Sequence, residues 1–364
     1  MADLKRILFT GGGTGGHLFP GLALVEELKR RFPDLTPLFV GSERGLEKRI
    51  LREAGIRHES LPVRSSADLK RAPISFLWSY EKARQAAKKI LLTTQPEVVI
   101  GLGGFASVPV VRAAQRLKIP TLLPEKNTVM GRANRWLQRR ATKVCHAFQQ
   151  SLPTGGNPEK HQVTGNPVRK EIQALLGRET RREGVQTILI LGGSQGAQAV
   201  NRMWLSAVEA LGDELNSRQI IHQTGDLDCE MIREKYRERG FSSIAEPFFE
   251  VLPTLYRQAD LVISRAGATT LAELACAGVP AILIPYPNSV GDHQLKNAQL
   301  FAETGAASIV SQTSETEETL ALVDAIEKRL TEPLSEMRKA MRSQAKPDAA
   351  RQIVDLLIEL QQPR

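Results

Sequence analysis

Residues 10–20 read TGGGTGGHLFP, five glycines in eleven positions with a histidine at their exit and a proline closing the run. They follow the strand-like run RILFT (6–10) and lead into FPGLALVEELKRRF (19–32), where Leu22, Val25, Leu28 and Phe32 recur at helical spacing. Pro20 is expected in the first helical turn, where no amide donor is needed. Glycine lets the backbone turn sharply at positive φ and approach a ligand closely. A helix start adds unpaired amides and the positive end of the helix dipole. Strand, glycine turn and helix together make an anion site, most often for phosphate.

Working outward, PLFV (37–40), EVVIGL (97–102), PTLLP (120–124) and KVCHAF (143–148) are further strands with helical patterns between them. That alternation implies crossover connections and a parallel sheet. SLPTGGNPEKHQVTGNPVR (151–169) is rich in Pro, Gly and Asn and reads as a linker. A second series follows, QTILILGG (186–193), RQIIHQTG (218–225), ADLVISRAG (259–267), VPAILIPYP (279–287) and AASIVSQ (306–312), and predicts a second doubly wound sheet. The halves share a weak repeat, ILFTGGGTGGH against ILILGGSQGAQ. The tail AKPDAARQIVDLLIEL (345–360) is a helix with its start signal at Pro347-Asp348, expected to cross back onto the first domain. The expected organisation is α/β: one Rossmann-like domain over 1–163, a second over 164–341, and a returning helix over 342–364.

A chain of 364 residues suits two domains of ordinary size. Hydrophobic residues at 41% and charged residues at 24% are ordinary globular values, which excludes large-scale disorder. Cys145, Cys229 and Cys276 are far apart and odd in number, which points to a reducing compartment and buried thiols rather than a disulfide framework or zinc. The N-terminal apolar run is too short for a signal peptide, and no window reaches the about 20 apolar residues of a membrane span. A cytoplasmic protein with at most peripheral membrane contact is expected. Residues 1–163 hold 27 Lys+Arg against 13 Asp+Glu, a net of +14; the remainder holds 22 against 27, a net of −5. The basic half is expected to face something anionic.

Three glycine-rich turns end strands: Gly11–Gly16, Gly101–Gly104 and Gly192–Gly196. Gly11, Gly13 and Gly16 match the dinucleotide fingerprint, but the acidic residue about 20 positions further on is missing. Glu43 lies about 30 positions past Gly13. No Gly-Lys-Ser/Thr follows any loop, so no P-loop is present. A dehydrogenase is thereby disfavoured. Three such loops split between two domains favour a shared phosphate-bearing ligand.

GGTGGHLFPGLAL (12–24), GLGGFASVP (101–109), GNPVR (165–169), GGSQGAQ (192–198), RAGATTLAE (265–273) and DHQLKNA (292–298) together resemble, in order, the blocks of one family. It is the bacterial N-acetylglucosaminyltransferases of glycosyltransferase family 28, which convert lipid I to lipid II in peptidoglycan synthesis. The resemblance implies a GT-B fold, two Rossmann-like domains facing each other across a cleft. It implies UDP-GlcNAc bound by the C-terminal domain and the lipid-linked acceptor taken by the N-terminal one. It further implies one inverting displacement that joins GlcNAc β-1,4 to the MurNAc 4-hydroxyl, with no cofactor and no metal. Another GT-B enzyme, such as a glycolipid glycosyltransferase or a UDP-GlcNAc epimerase, and a non-catalytic nucleotide-sugar-binding subunit stay open as alternatives.

His17 is either a helix-start residue bonding a nearby carbonyl or a general base, since an imidazole's pKa of about 6.5 suits proton removal from a sugar hydroxyl. The resemblance places it at the acceptor hydroxyl. Glu125 is the second catalytic candidate; whether His17 works alone or with it stays open. The family's His and Gln flanking that Glu are replaced here by Pro124 and Lys126. The resemblance assigns Thr14, Gly15, Gly16, Asn127, Arg169, Ser194, Phe249, Ala268, Thr269, Glu273 and Gln294 to UDP-GlcNAc. Glu273 shares a helix face with Thr269 and would accept from the ribose hydroxyls. Arg169 can fork onto an oxyanion. His293 neighbours Gln294. Gly103, Gly104 and Ser107 are candidates for the acceptor diphosphate. Asp226-Leu227-Asp228 has the form of a metal motif, but two acids in a turn are usually solvated or capping.

LKRAPISFLWSYEKARQAAKKI (69–90) predicts a helix from about Pro73. Ile74, Leu77 and Trp78 fall on one face and Phe76, Tyr80, Ala83, Ala87 and Ile90 on another, flanked by Lys70, Arg71, Lys82, Arg84, Lys88 and Lys89. Such a helix is either an ordinary amphipathic one with a solvated charged face or an interfacial one on anionic lipid. The lipid acceptor and the domain's charge favour the second. The expected partners are UDP-GlcNAc, lipid I and an anionic phospholipid surface, not nucleic acid. The expected place is the cytoplasmic face of the inner membrane.

Overall fold

The computed structural model describes residues 4–12, 15–42, 45–63, 73–177, 184–193 and 196–361, without the side chains of Leu46, Pro73, Ile74, Phe76 and Leu77. It divides into two compact units, residues up to Arg169 with those from Asp348 onward, and Lys170–Pro347.

The first unit runs β1 (Arg6–Gly11), α1 (Gly15–Arg31), β2 (Thr36–Gly41), α2 (Gly45–Glu53), β3 (Arg57–Ser60), α3 (Pro73–Thr94), β4 (Val98–Gly103), α4 (Ser107–Arg116), β5 (Thr121–Glu125), α5 (Arg132–Leu137), β6 (Lys143–His146) and β7 (His161–Val163). The strands form one sheet in the order β3-β2-β1-β4-β5-β6-β7, and the ladders are parallel. Central strands buried on both faces explain why RILFT and EVVIGL are continuous apolar runs. Successive side chains point to opposite faces. Ile7 and Phe9 pack with Leu24 and Leu28 of α1. Leu8 packs on the other face with Ala87 and Leu91 of α3 and Val111 of α4.

The second unit runs α6 (Lys170–Gln173), β8 (Thr187–Leu191), α7 (Gln198–Leu211), β9 (Gln219–Gln223), α8 (Cys229–Arg239), β10 (Ser243–Glu246), α9 (Leu252–Gln258), β11 (Leu261–Ser264), α10 (Ala268–Ala277), β12 (Ala281–Leu283), α11 (His293–Glu303), β13 (Ala307–Ile309), α12 (Glu315–Thr331) and α13 (Ser335–Ser343). Its parallel sheet has the order β10-β9-β8-β11-β12-β13. The last helix, α14 (Ala349–Glu359), belongs to the first unit. Ile353, Val354, Leu356 and Leu357 join the α1 side of its core, and Asp355 Oδ1 accepts from Arg31 Nη1 at 2.5 Å.

The structure departs from the sequence expectation in three places. Helix α1 starts at Gly15, so Pro20 lies inside it rather than in its first turn. The glycine-rich run itself winds into the helix start. The segment 151–169 is not wholly linker: His161–Val163 pairs with β6, and the Thr164 and Gly165 amides both donate to the His146 carbonyl. The short strands β3 and β10, with little apolar patterning, went unread. All three cysteines are buried, and burial pushes the Cys145 thiol up to about 12.

Candidate active site

In the first sheet the chain works outward from β1 to β3, then returns to place β4 on the other side of β1. The carboxyl ends of β1 and β4 form the topological switch point, where open α/β sheets bind ligands. Gly11 and Gly103 both hold positive φ, +139° and +95°. A Cβ on Gly11 would sit 2.7 Å from the Gly103 carbonyl oxygen, so the two turns meet backbone to backbone.

His17, in the first turn of α1, lays its ring over that junction: a Cβ on Gly103 would lie 3.2 Å from its Cδ2 and 3.4 Å from its Nε2. Ser107, the first residue of α4, is buried and donates from Oγ to the Gly104 carbonyl at 2.9 Å. His17, Gly103, Gly104 and Ser107 therefore form one cluster. Gly15 and Gly16 lie in the same first turn of α1. Thr14 lies outside the described residues.

Glu125 ends β5 and is buried. Its Oε1 accepts the Asn127 amide at 3.1 Å, and its Oε2 accepts the Gly131 amide at 3.0 Å and Asn134 Nδ2 at 2.9 Å. The carboxylate thus organises the loop that carries Asn127. Lys126, between them, donates from Nζ to the Gly16 carbonyl at 2.8 Å. Arg169 stacks its guanidinium 4.5 Å above the Phe19 ring of α1. Glu47 of α2 is buried against Gly12, where a side chain would overlap its carboxylate. Its Oε2 accepts from Ser42 Oγ at 2.9 Å, and its Oε1 is 3.4 Å from His58 Nε2. An acid does approach the first glycine turn, but it is engaged with protein. Glu43 lies outside the described residues.

In the second unit the switch point falls between β8 and β11. Gly196 has φ +73°, and a Cβ there would meet the Thr224 carbonyl oxygen at 2.7 Å. Gln223, at the end of β9, spans two loops: Nε2 donates to the Gly193 carbonyl at 2.7 Å, and Oε1 accepts the Phe249 amide at 3.0 Å. Ser194 lies outside the described residues. Phe249 is buried after β10, and Gln223 ties its backbone to the glycine turn that follows β8.

Ala268 and Thr269 open α10 behind Gly267, at the end of the helix that carries the positive pole of its dipole. Glu273, one turn on, is buried and accepts the Tyr256 hydroxyl at 3.0 Å. Gln294 of α11 accepts the Tyr286 amide at 2.9 Å through Oε1, and His293 Nδ1 lies 3.0 Å from the Val290 carbonyl oxygen. Arg265 donates through Nη1 to the Ile284 and Pro285 carbonyls and to Gln312 Oε1. Burial holds it below arginine's usual range. Asp228 accepts from Gln198 and Asn201, so this acid holds the start of α7 and α8.

Sequence reasoning missed Gln223, Tyr256 and Arg265 as organisers. Gln223 and Arg265 lie at or just past strand ends and Tyr256 lies within the short helix α9, and single residues do not announce such positions.

Comparisons with known proteins fit this arrangement. Residues 7–146 match the Glycosyltransferase family 28 N-terminal domain, and residues 187–353 match the Glycosyltransferase family 28 C-terminal domain. The chain belongs to glycosyltransferase family 28. Within the family it is 37% identical over 363 residues to the UDP-N-acetylglucosamine--N-acetylmuramyl-(pentapeptide) pyrophosphoryl-undecaprenol N-acetylglucosamine transferase of Geobacter sulfurreducens, covering 97% of this chain and 98% of that one. It is 39% identical over 372 residues to the transferase of the same name from Desulfotalea psychrophila, covering 98% and 97%. Among solved structures, Acinetobacter baumannii MurG is 30% identical, with a TM-score of 0.75 over 98% of this chain and 99% of that one. A UDP-N-acetylglucosamine 2-epimerase, at 15% identity and a TM-score of 0.70 over 98% and 96%, shares the fold. The two Rossmann-like sheets of this family 28 chain are thus of the GT-B type.

Proposed function

We propose that the chain transfers GlcNAc from UDP-GlcNAc to the 4-hydroxyl of MurNAc in lipid I, forming the β-1,4 linkage of lipid II. The nearly full-length match to transferases named for that reaction supports the assignment. The single structural observation behind the chemistry is the His17 ring seated over Gly103 at the β1/β4 switch point.

His17 takes the proton of the acceptor hydroxyl as the new bond from that oxygen to the anomeric carbon forms. On the opposite face the bond to UDP breaks, and UDP leaves with the electron pair, so the configuration inverts. Positioned donors stabilise the developing charge. Gly103, Gly104 and Ser107 serve the acceptor diphosphate, and Arg169 with the glycine turn and Ser194 serves the donor. Glu273 takes the ribose, Ala268 and Thr269 the phosphates, Phe249 the uracil, and Asn127 and Gln294 the sugar. Glu125 acts through the loop that it braces rather than as a second base.

The acceptor stays in the bilayer, so the enzyme works peripherally at the cytoplasmic face. Among the described residues no helix is long and apolar enough to cross a membrane. Helix α3 buries Ala83, Ala87 and Leu91 and leaves Trp78 69% exposed. Lys70 and Arg71 lie outside the described residues, as do the side chains of Ile74, Phe76 and Leu77. Trp136 of α5 is a second exposed tryptophan, 49%, with the Arg112 guanidinium 4.7 Å above its ring. Tryptophans among basic residues suit the headgroup zone of anionic lipid.

Incubation with UDP-GlcNAc and a lipid I analogue tests the reading. UDP and the disaccharide lipid are the expected products; UDP hydrolysis alone or epimerised donor would overturn it. His17→Ala should lower kcat by roughly 10²–10⁴ and keep donor affinity. Wild-type turnover in that variant removes His17 as the base.

A further inference from the structure

Helix α1 carries Pro20 in its interior. In an α-helix the N–H of residue 20 would meet the carbonyl of residue 16. Proline has no N–H, so the helix offers no such donor to Gly16, the residue immediately before His17. A side chain from another loop does so instead. Lys126 follows β5, and its Nζ donates to the Gly16 carbonyl oxygen at 2.8 Å. Strand β4 lies between β1 and β5 in the sheet, so this side chain links the outer two of three neighbouring strand ends. Lys126 is 8% exposed. Burial pulls its ammonium down to about 7, against the opposing pull of the Glu125 carboxylate. Desolvating a charged group is costly unless the geometry uses it. Here it donates to a carbonyl that residue 20, as a proline, has no N–H to serve.

We infer that Lys126 is a positioning residue for His17: its Nζ stands in for the N–H that Pro20 lacks and fixes the first turn of α1, so that the imidazole stays over Gly103. This rests on His17 being the base, as proposed above. The cationic head is not what the role requires; an N–H donor at Gly16 is. Lys126→Met removes the donor and keeps most of the bulk. Lys126→Gln keeps an N–H donor without charge. Pro20→Ala restores the backbone N–H within the helix itself.

The test is steady-state transfer from UDP-GlcNAc to a lipid I analogue, alongside histidine-ring NMR of the full chain with the His17 signal assigned by His17→Gln. Lys126→Met should lower kcat roughly tenfold to hundredfold, the scale of an ångström's misplacement. Its KM for UDP-GlcNAc should change by a smaller factor than kcat, because Gly16 at the clamp is one of several residues assigned to the donor, whereas the position of the base bears on the transition state. Pro20→Ala alone should stay within about threefold of wild type, and the double variant Pro20→Ala/Lys126→Met should recover about tenfold of the lost kcat. Lys126→Gln should fall between. The His17 ring signals should shift in Lys126→Met and return in the double variant. Near-wild-type kcat in Lys126→Met, or no recovery in a double variant that melts like wild type, overturns the inference. If Lys126→Met does not fold, the comparison of Lys126→Gln with Pro20→Ala/Lys126→Gln decides on the same terms. An inactive wild-type chain would instead sink the proposed reaction, and the ring signals would still report on the clamp.

Discussion

The Tyr256 hydroxyl donates to Glu273 Oε2 at 3.0 Å, and both side chains are buried. The bond runs from α9 to α10 and fixes the rotamer of the carboxylate assigned to the ribose. Tyr256→Phe removes the hydroxyl and little volume. The expected outcome is a KM for UDP-GlcNAc raised roughly fivefold to twentyfold, about 1–2 kcal/mol, with kcat within about threefold. Donor titration by calorimetry checks it, and unchanged affinity removes Tyr256 from the assignment.

Gly196 holds φ +73° with the Thr224 carbonyl oxygen where a Cβ would go. Gly196→Ala therefore meets both backbone strain and a backbone contact that cannot swing away. A loss of about 1–3 kcal/mol in stability is expected, read as a lower Tm of the second unit. UDP-GlcNAc binding should weaken with it, because the turn moves. A Tm equal to wild type would show that the turn relaxes without cost.

Two buried histidines set the acid limb of stability. Burial holds His222 down to about 3 and His146 down to about 4. Asn201 Oδ1 can only accept, so His222 Nε2 carries the proton and its Nδ1 accepts from the Tyr236 hydroxyl. Tyr236 in turn accepts Trp204 Nε1 at 2.7 Å. Ser151 gives its proton to the Phe148 carbonyl, so His146 donates to Ser151 through Nδ1 and accepts from His161 through Nε2. Both rings are therefore neutral when folded. Unfolded, they bind protons below about pH 6.5. Stability is full above that pH and falls as pH drops toward 4, by up to about 1.4 kcal/mol per pH unit for each ring. Denaturant unfolding at pH 7, 6 and 5 checks the sign. His222→Gln should flatten the slope even where it lowers stability throughout.

Trp78 and Trp136 should both contribute to binding of anionic vesicles. Each substitution to Ala is expected to weaken cosedimentation several-fold and leave transfer to a water-soluble acceptor analogue near wild type. Raising the salt should weaken binding of the wild type, since the basic residues act through screened charge. Equal binding to neutral and anionic vesicles would remove the charged surface from the proposal.

Most of the architecture was legible in the sequence because buried parallel strands leave continuous apolar runs between helical patterns. The three glycine-rich turns marked both switch points. The edge strand β7 was hidden in a Pro- and Gly-rich stretch, since three residues paired on one side need no apolar run. Pro20 was misplaced because a glycine-rich run looks like loop, although here Gly15 and Gly16 start the helix. His17 announced itself by chemistry. Lys126, Gln223 and Tyr256 did not, because each acts by reaching another loop or helix, and that reach exists only after the chain has folded. Trp136 escaped notice for the opposite reason: α5 is too short to show a periodic face.

The return of α14 to the first unit has a consequence for the order of synthesis. A ribosome releases the chain from its N-terminus, and domains generally fold as units as they emerge. The second unit is contiguous, Lys170–Pro347, and is fully synthesised before α14 appears. The first unit waits, with the α1 side of its core lacking Ile353, Val354, Leu356 and Leu357 until Ala349–Glu359 is made. Of the two units, the one whose translation begins first is thus completed last. A nascent chain stalled before Ala349 would carry a finished second unit, and the unit that bears His17 would still have an open apolar face.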